Sequence, residues 1–197
     1  MIGINQLRWS SAYPASLNLI VRIHMRHNLE IVVALGIALL ATRFNAADLS
    51  ASAIRDATRL ADCMKAFDAP CTISLTYTKI LEQDGISREQ LDQGLVDMYQ
   101  KMRPIGARYS RLELAAPWPP FVARGKTYII IPYDTVVVAQ GQETSSNAFF
   151  IGVLDESRAS WKFMDGQKVT DDNIGMMIPG YAGAKLPKVS ITQSAPH

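Results

Sequence analysis

An aspartate beside a tyrosine in apolar sequence is the arrangement in this chain most able to move a proton. Tyr133-Asp134 lies within TYIIIPYDTVVV. A carboxylate base with a tyrosine hydroxyl facing a developing oxyanion can isomerise or dehydrate a small organic molecule when apolar walls enclose both. Tyr77, Tyr99 and Tyr109 are further hydroxyls that such a pocket could recruit. Each of these residues also has a plainer reading. Asp134 reads as an edge or bulge residue facing water, and the tyrosines read as core side chains with hydroxyls at the rim. Asp165-Gly166 is a turn signal.

Other chemistries lack their side chains. Histidine occurs only at His24, His27 and His197, so the folded part offers no imidazole as base, triad partner or metal ligand. Cys63 and Cys71 are the two cysteines, too few for a zinc set that needs three or four ligands. They read either as a disulfide closing the loop around AFDAP in an oxidising compartment or as two buried thiols. No phosphate-binding glycine loop, nucleophile elbow or metalloprotease motif is present. No metal or cofactor is therefore expected. The net charge is +2, but residues 1–47 hold Arg8, Arg22, Arg26 and Arg43 against Glu30 alone. The remainder keeps 16 of the 20 basic and 17 of the 18 acidic side chains, a balance that argues against a nucleic-acid partner.

The run Ile31 to Ala41, IVVALGIALLA, has 11 apolar or small residues, too short for a membrane span of about 20. With Arg22, Arg26 and His27 before it and Ala46 and Ala47 after it, the run reads as a signal-peptide core. An uncleaved anchor and a buried core helix are the alternatives. Phe44 and Asn45 occupy the positions where a cleavage site wants small residues, and Met25 would start a signal of ordinary length. The predicted organisation is 1–47 as upstream segment plus signal, 48–187 as one α+β domain, and 188–197 as a tail. The predicted location is periplasmic or secreted, or inner-membrane anchored through an uncleaved segment, the one membrane contact expected.

Three helices precede the strands. Ile54, Ala57, Leu60, Ala61, Met64 and Phe67 recur at helical spacing across Ser50–Phe67, with Asp48 or Ser50 as cap and Asp68-Ala-Pro70 as stop. A shorter helix is predicted over Thr72–Gln83, although the β-branched TISLTYT could begin as a strand. Ser87 and Gln90 form a capping box for a third helix with the stripe Leu91, Leu95, Met98, Tyr99 and Met102, ended by Pro104 and Gly106.

Strands follow at Tyr109–Ala115, Thr127–Val138 and Asn147–Leu154, the first two separated by PWPP. Pro132, which lacks a backbone donor, predicts an edge, a bulge or a bend. The turn DESRAS leads into Trp161-Lys-Phe163, whose shared parity suits cross-strand aromatic pairing. Thr170, Asp171 and Asp172 predict the start of a terminal helix reaching about Ile178. The long strands are apolar on both faces. Helices can cover one, and a second subunit or the amino-terminal segment could cover the other, which suggests a homodimer.

Three helices, a bent antiparallel sheet, and FFIGVLDESRASWKFMDG followed by a short helix and KLP resemble the cone-shaped α+β fold of ketosteroid isomerases, SnoaL-like proteins and nuclear transport factor-like domains. More narrowly, they are similar to small exported bacterial proteins within that superfamily. The resemblance covers roughly Ala51 to Pro187, and Glu156-Ser-Arg-Ala-Ser160 stands where related sequences would carry a glycine-rich turn. It implies a pocket between helices and sheet, used in the superfamily for proton transfer or small-molecule binding, and it transfers no catalytic residue. The leading expectation is an exported, non-catalytic domain that binds a small apolar ligand or a protein partner. The alternative is an isomerase- or dehydratase-like enzyme. An acid directed into an apolar pocket separates the two.

Overall fold

The computed structural model describes residues 45–79 and 85–194. The export-signal reading of Ile31–Ala41 and the start at Met25 fall outside the described residues, as do positions 80–83 of the second predicted helix. Four helices are described, α1 (Ala46–Lys65), α2 (Ala69–Leu75), α3 (Arg88–Met102) and α4 (Ile174–Met177). Six strands form one antiparallel sheet: β1 (Arg108–Leu114), β2 (Phe121–Ala123), β3 (Lys126–Ala139), β4 (Gln142–Asp155), β5 (Ser160–Asp165) and β6 (Ser190–Gln193). The class is α+β. Among the described residues no helix is long and apolar enough to cross a membrane.

Helix α1 starts earlier than its apolar stripe suggested. Asn45 is the N-cap, and Asp48 instead lies in the first turn, where a carboxylate meets the positive end of the helix dipole. The helix ends in a Schellman turn, with Phe67 N–H donating to Met64 O at 3.1 Å and Asp68 N–H to Cys63 O at 3.0 Å. The left-handed position that usually takes glycine is filled by Phe67, with φ 52°. Phe67 packs edge-on against Tyr99 and at a tilt against Tyr109, with ring centroids 5.1 and 5.9 Å away, and a Cys63–Cys71 disulfide closes the turn. Asp68 caps α2 through Cys71 N–H at 3.0 Å. This second helix stops at Leu75, eight residues short of its predicted end. Thr76 there forms a parallel bridge to Phe163, and Tyr77 N–H donates to Phe163 O at 2.8 Å. The β-branched run turns to strand pairing as soon as a partner is in reach. The capping box of α3 is present in both directions.

The β3–β4 hairpin is the spine of the sheet. Its two-residue turn has positive φ at both Gln140 (53°) and Gly141 (77°), the combination whose twist suits a tight hairpin. Each long strand is flanked by two short ones, β1 and β2 along β3, β5 and β6 along β4. Pro132 therefore sits in a central strand, not at an edge. Its carbonyl accepts from Ala115 N, so its missing donor faces the same flank, at the gap that PWPP opens between β1 and β2. Strand β6 extends the sheet into the stretch read as a tail, because Ser190–Gln193 finds an open flank on β4 at Thr144–Asn147.

Both sheet faces are covered. On the inner face Ala53, Ala57 and Leu60 of α1 pack against Ile129, Ile131, Phe150 and Trp161. Trp161 is anchored twice to α1, through its indole to Ser52 Oγ at 2.9 Å and its backbone N–H to Asp56 Oδ2 at 3.0 Å. On the outer face Ile130, Phe149 and Ile151 are covered by Val169, Ile174, Ile178 and Leu186. The cover is thus the chain's own carboxy-terminal segment, where a second subunit or the amino-terminal segment had been expected. That segment can return over the sheet because α4 is brief and starts late, at Ile174. The predicted Trp161–Phe163 pairing is also altered. These residues oppose Leu154 and Gly152, and Phe163 meets Phe150 diagonally at 6.1 Å.

Close approach explains two glycines. A methyl group at Gly152 would lie 2.7 Å from Ile129, and one at Gly166 would lie 2.7 Å from the Phe149 carbonyl oxygen and closer still to its ring. Gly94 in α3 has open space. Gly166→Ala is expected to lower stability by about 1–3 kcal/mol, and Gly94→Ala to raise it by about 1 kcal/mol, both read from urea midpoints. Replacing Cys63 and Cys71 with serine removes a short cross-link and is expected to cost about 2–3 kcal/mol by the same measurement.

Candidate functional site: a cavity between helices and sheet

Beyond the packed end of α1, the inner face opens into a cavity of about 470 Å³. Leu60, Met64, Leu95 and Met98 wall it from the helices, and Val137, Phe150 and Phe163 from the sheet. The alternation of β3 decides which residues enter. Ile129 and Ile131 pack against α1, whereas Tyr133, Thr135 and Val137, on the same face further along, line the cavity. Two polar pairs on the wall satisfy themselves: Thr135 Oγ1 with Ser146 Oγ at 2.7 Å, and Thr72 Oγ1 with Tyr99 Oη at 3.3 Å. Helix α3 is seated loosely over this space. Of its predicted stripe Tyr99 is buried, Leu91, Leu95 and Met102 are half-buried, and Met98 keeps 44% of its surface exposed.

The reactive group is Asp165. Its Oδ1 accepts from the Tyr133 hydroxyl at 3.0 Å and from Gln167 N–H at 2.9 Å, while Oδ2 carries no hydrogen bond among the described residues. The side chain still meets water at the open edge of the cavity. Even so, burial raises its carboxyl above the ordinary value, against the lowering effect of the two donors. Tyr133 is pushed well above the usual phenol range, first by burial and then by the Asp165 charge. Burial likewise pushes Tyr109 up to about 12, with smaller contributions from Tyr99 and Asp165. Tyr99 is raised by burial too. The Tyr109 hydroxyl, like Asp165 Oδ2, has no hydrogen-bond partner among the described residues.

Of the residues singled out in the sequence, Tyr99, Tyr109 and Tyr133 meet in this cavity. Asp134 does not. It opposes Asn147 on the outer face, is exposed, and accepts a hydrogen bond from the Asn147 amide. One residue along a strand reverses the face, so the neighbour of an inward tyrosine points out. Tyr77 is also elsewhere, its hydroxyl accepting from Lys126 Nζ at 2.8 Å in a separate surface groove. The acid the sequence reading passed over is Asp165, taken for a turn residue alone. It does make that turn, through Gln167, but it also lies two residues after Phe163 on the same face, and that parity was the available signal.

Among the described residues no three His, Cys, Asp or Glu side chains converge as a metal set would. No family model matches the chain. No curated protein and no solved structure matches it either.

Raised acid and phenol values carry signs that titration can check. An acid raised in the folded state favours folding below its unfolded value, near 4, and that contribution fades as pH rises through the folded value. Wild-type stability should therefore gain from Asp165 between neutrality and about pH 4, and Asp165→Asn should remove that gain, as read from urea midpoints across the range. Raised phenols act similarly at high pH: absorbance at alkaline pH should show Tyr109 and Tyr133 un-ionised near pH 11, above the ordinary phenol value near 10.

Proposed function

We propose that this domain is a cone-type α+β module of an exported protein that binds a small, largely apolar molecule carrying one hydrogen-bonding group. The order of three helices followed by one antiparallel sheet, with a cavity between them, supports the fold assignment. The Cys63–Cys71 bond supports a periplasmic or secreted location, since cytosolic thiols are held reduced. The observation that carries the binding reading is the presence, in one apolar cavity, of an Asp165 oxygen and a Tyr109 hydroxyl that both lack partners among the described residues. Walls of leucine, methionine, valine and phenylalanine reward an apolar body, and the two polar groups orient its head.

A second reading is favoured by the same acid. Asp165 Oδ2 could take a proton from carbon beside a carbonyl while the Tyr109 hydroxyl donates to the resulting oxyanion, a division of labour that needs a carboxylate with raised proton affinity. Binding without turnover is the primary assignment because the Tyr109 hydroxyl, unlike the Asp165 carboxylate, has no partner among the described residues to hold it at a reacting atom.

Titration with the neutral fluorescent amine N-phenylnaphthylamine tests the binding reading. Saturable binding is expected, weakened about tenfold in Asp165→Asn, the loss of one charge-assisted hydrogen bond, and abolished in Ser146→Phe, which fills the cavity. Undiminished binding in the filled variant would overturn the assignment. Deuterium uptake from solvent into a bound ketone, present in wild type and absent in Asp165→Asn, would replace binding with catalysis.

A further inference from the structure

On the other side of the Thr76–Phe163 bridge lies a concave groove of about 810 Å³ that gathers positive charge from five separate parts of the chain. Lys79 follows α2, Arg88 opens α3, Lys126 begins β3, Arg158 stands in the β4–β5 turn, and Lys162 projects from β5. Two carboxylates, Asp155 and Glu156, share the groove with these five cations.

The carboxylates do not neutralise the cluster. Asp155 Oδ1 is engaged by its own turn, accepting from Ser157 N–H at 3.2 Å and Ser157 Oγ at 2.6 Å. Among the described residues, Arg158 is the one groove cation with a carboxylate in ion-pair range, Asp155 at 3.9 Å. Lys126 is held by a neutral group, its ammonium donating to the Tyr77 hydroxyl and lying 5.5 Å from that ring's centroid. Lys162 is half-buried and donates to the Ser74 carbonyl at the end of α2. Burial lowers its amine below the ordinary lysine value, and the Arg158 and Arg88 charges lower it further against the smaller pull of Asp155 and Asp56. Lys126 is instead raised by its hydrogen bond to Tyr77, so the case for an anion rests on the convergence of the five side chains on one concave surface with one ion pair among them.

We propose that this groove is a second binding site, specific for a small, multiply charged oxyanion such as a phosphate or pyrophosphate group. Arginine forks suit the paired oxygens of such a group, and the lysines supply point charge. A polymeric anion is disfavoured because beyond residue 47 the chain carries 16 basic and 17 acidic side chains and so offers no extended basic face. The site is independent of the cavity reading, since the two share Thr76 as a wall but none of the charged groups.

Calorimetric titration of the full chain with inorganic pyrophosphate at fixed ionic strength tests the proposal. One saturable site is expected, weakened at least tenfold in the Arg88→Ala/Arg158→Ala double variant and unchanged in Lys101→Ala, an exposed α3 residue outside the groove. Both arginines are exposed, and unchanged N-phenylnaphthylamine binding by the double variant would separate loss of this site from loss of the cavity. Heats that do not saturate, or that are equal in wild type and double variant, would overturn it. So would binding to phosphatidylglycerol vesicles with none to pyrophosphate, which would make the groove a membrane contact.

Discussion

Register in the β3–β4 hairpin is the constraint from which both faces of this molecule follow. Because side chains alternate at every residue, pairing Tyr133 with Ala148 and Asp134 with Asn147 sends the phenol into the cavity and the carboxylate to water. A slip of one residue would exchange them and would expose Ile129, Ile131 and Phe150, all of them buried. Three features hold the register. The two-residue Gln140-Gly141 turn leaves no slack, Gly152 makes room for Ile129 and Phe163, and Gly166 makes room for Phe149. Each glycine fits in one alignment only, so backbone close to a ring works as a gauge as well as a contact.

The same register divides the inner face into a packed end and an open end. Toward Ile129 the facing helix presents Ala53 and Ala57, both fully buried, and small residues let helix and sheet approach. Toward Val137 the facing residues are Met64, Leu95 and Met98, longer and incompletely buried, and the strand changes from isoleucines to Thr135 and Val137. A void in a core normally costs stability through lost dispersion contacts. Here Thr135 with Ser146 and Thr72 with Tyr99 are satisfied in pairs, which spares those groups the penalty of unmet hydrogen bonds, whereas the Tyr109 hydroxyl and Asp165 Oδ2 have no partner among the described residues. Phe67, in a left-handed conformation that costs a bulky residue about 1–2 kcal/mol, contacts both Tyr99 and Tyr109 and braces this end.

Local rules recovered the first and third helices and the long strands, missed the short strands β2 and β6, and failed where a residue's surroundings depended on distant chain. The capping box of α3 was readable because Ser87 and Gln90 satisfy backbone donors within four residues. The hairpin strands were readable as apolar, β-branched and aromatic runs bounded by turn residues. The end of α2 was not, because Thr76 leaves the helix for a partner, Phe163, that no local pattern announces. The cover of the outer face was missed for a related reason: Val169, Ile174, Ile178 and Leu186 are too widely spaced to form a periodic stripe, and together they make a lid only because the chain winds back over the sheet. The disulfide was an open alternative in the sequence, and the Schellman turn decides it by bringing the Cys63 and Cys71 Cα atoms to 5.7 Å. In the candidate site three of the four tyrosines named from the sequence meet; Asp134 faces water, the plainer of its two readings, and Asp165 was read as a turn residue.

The omission of Asp165 has an instructive cause. Asp165 is a turn residue because Gly166 must leave the strand: its N–H still bonds the Phe149 carbonyl, but no side chain fits against that ring. The Asp165 carboxylate then closes the turn through Gln167 N–H, and this bond aims Oδ1 at the Tyr133 hydroxyl on the neighbouring inner face. Both donors land on one oxygen, so the structural duty of the carboxylate leaves the other oxygen unused. A turn and a binding group are therefore not competing descriptions of Asp165. The backbone constraint that demands a turn at this position is also what holds a partly desolvated acid at the edge of an apolar cavity, and an acid placed by scaffold geometry keeps its position whether or not a ligand is present.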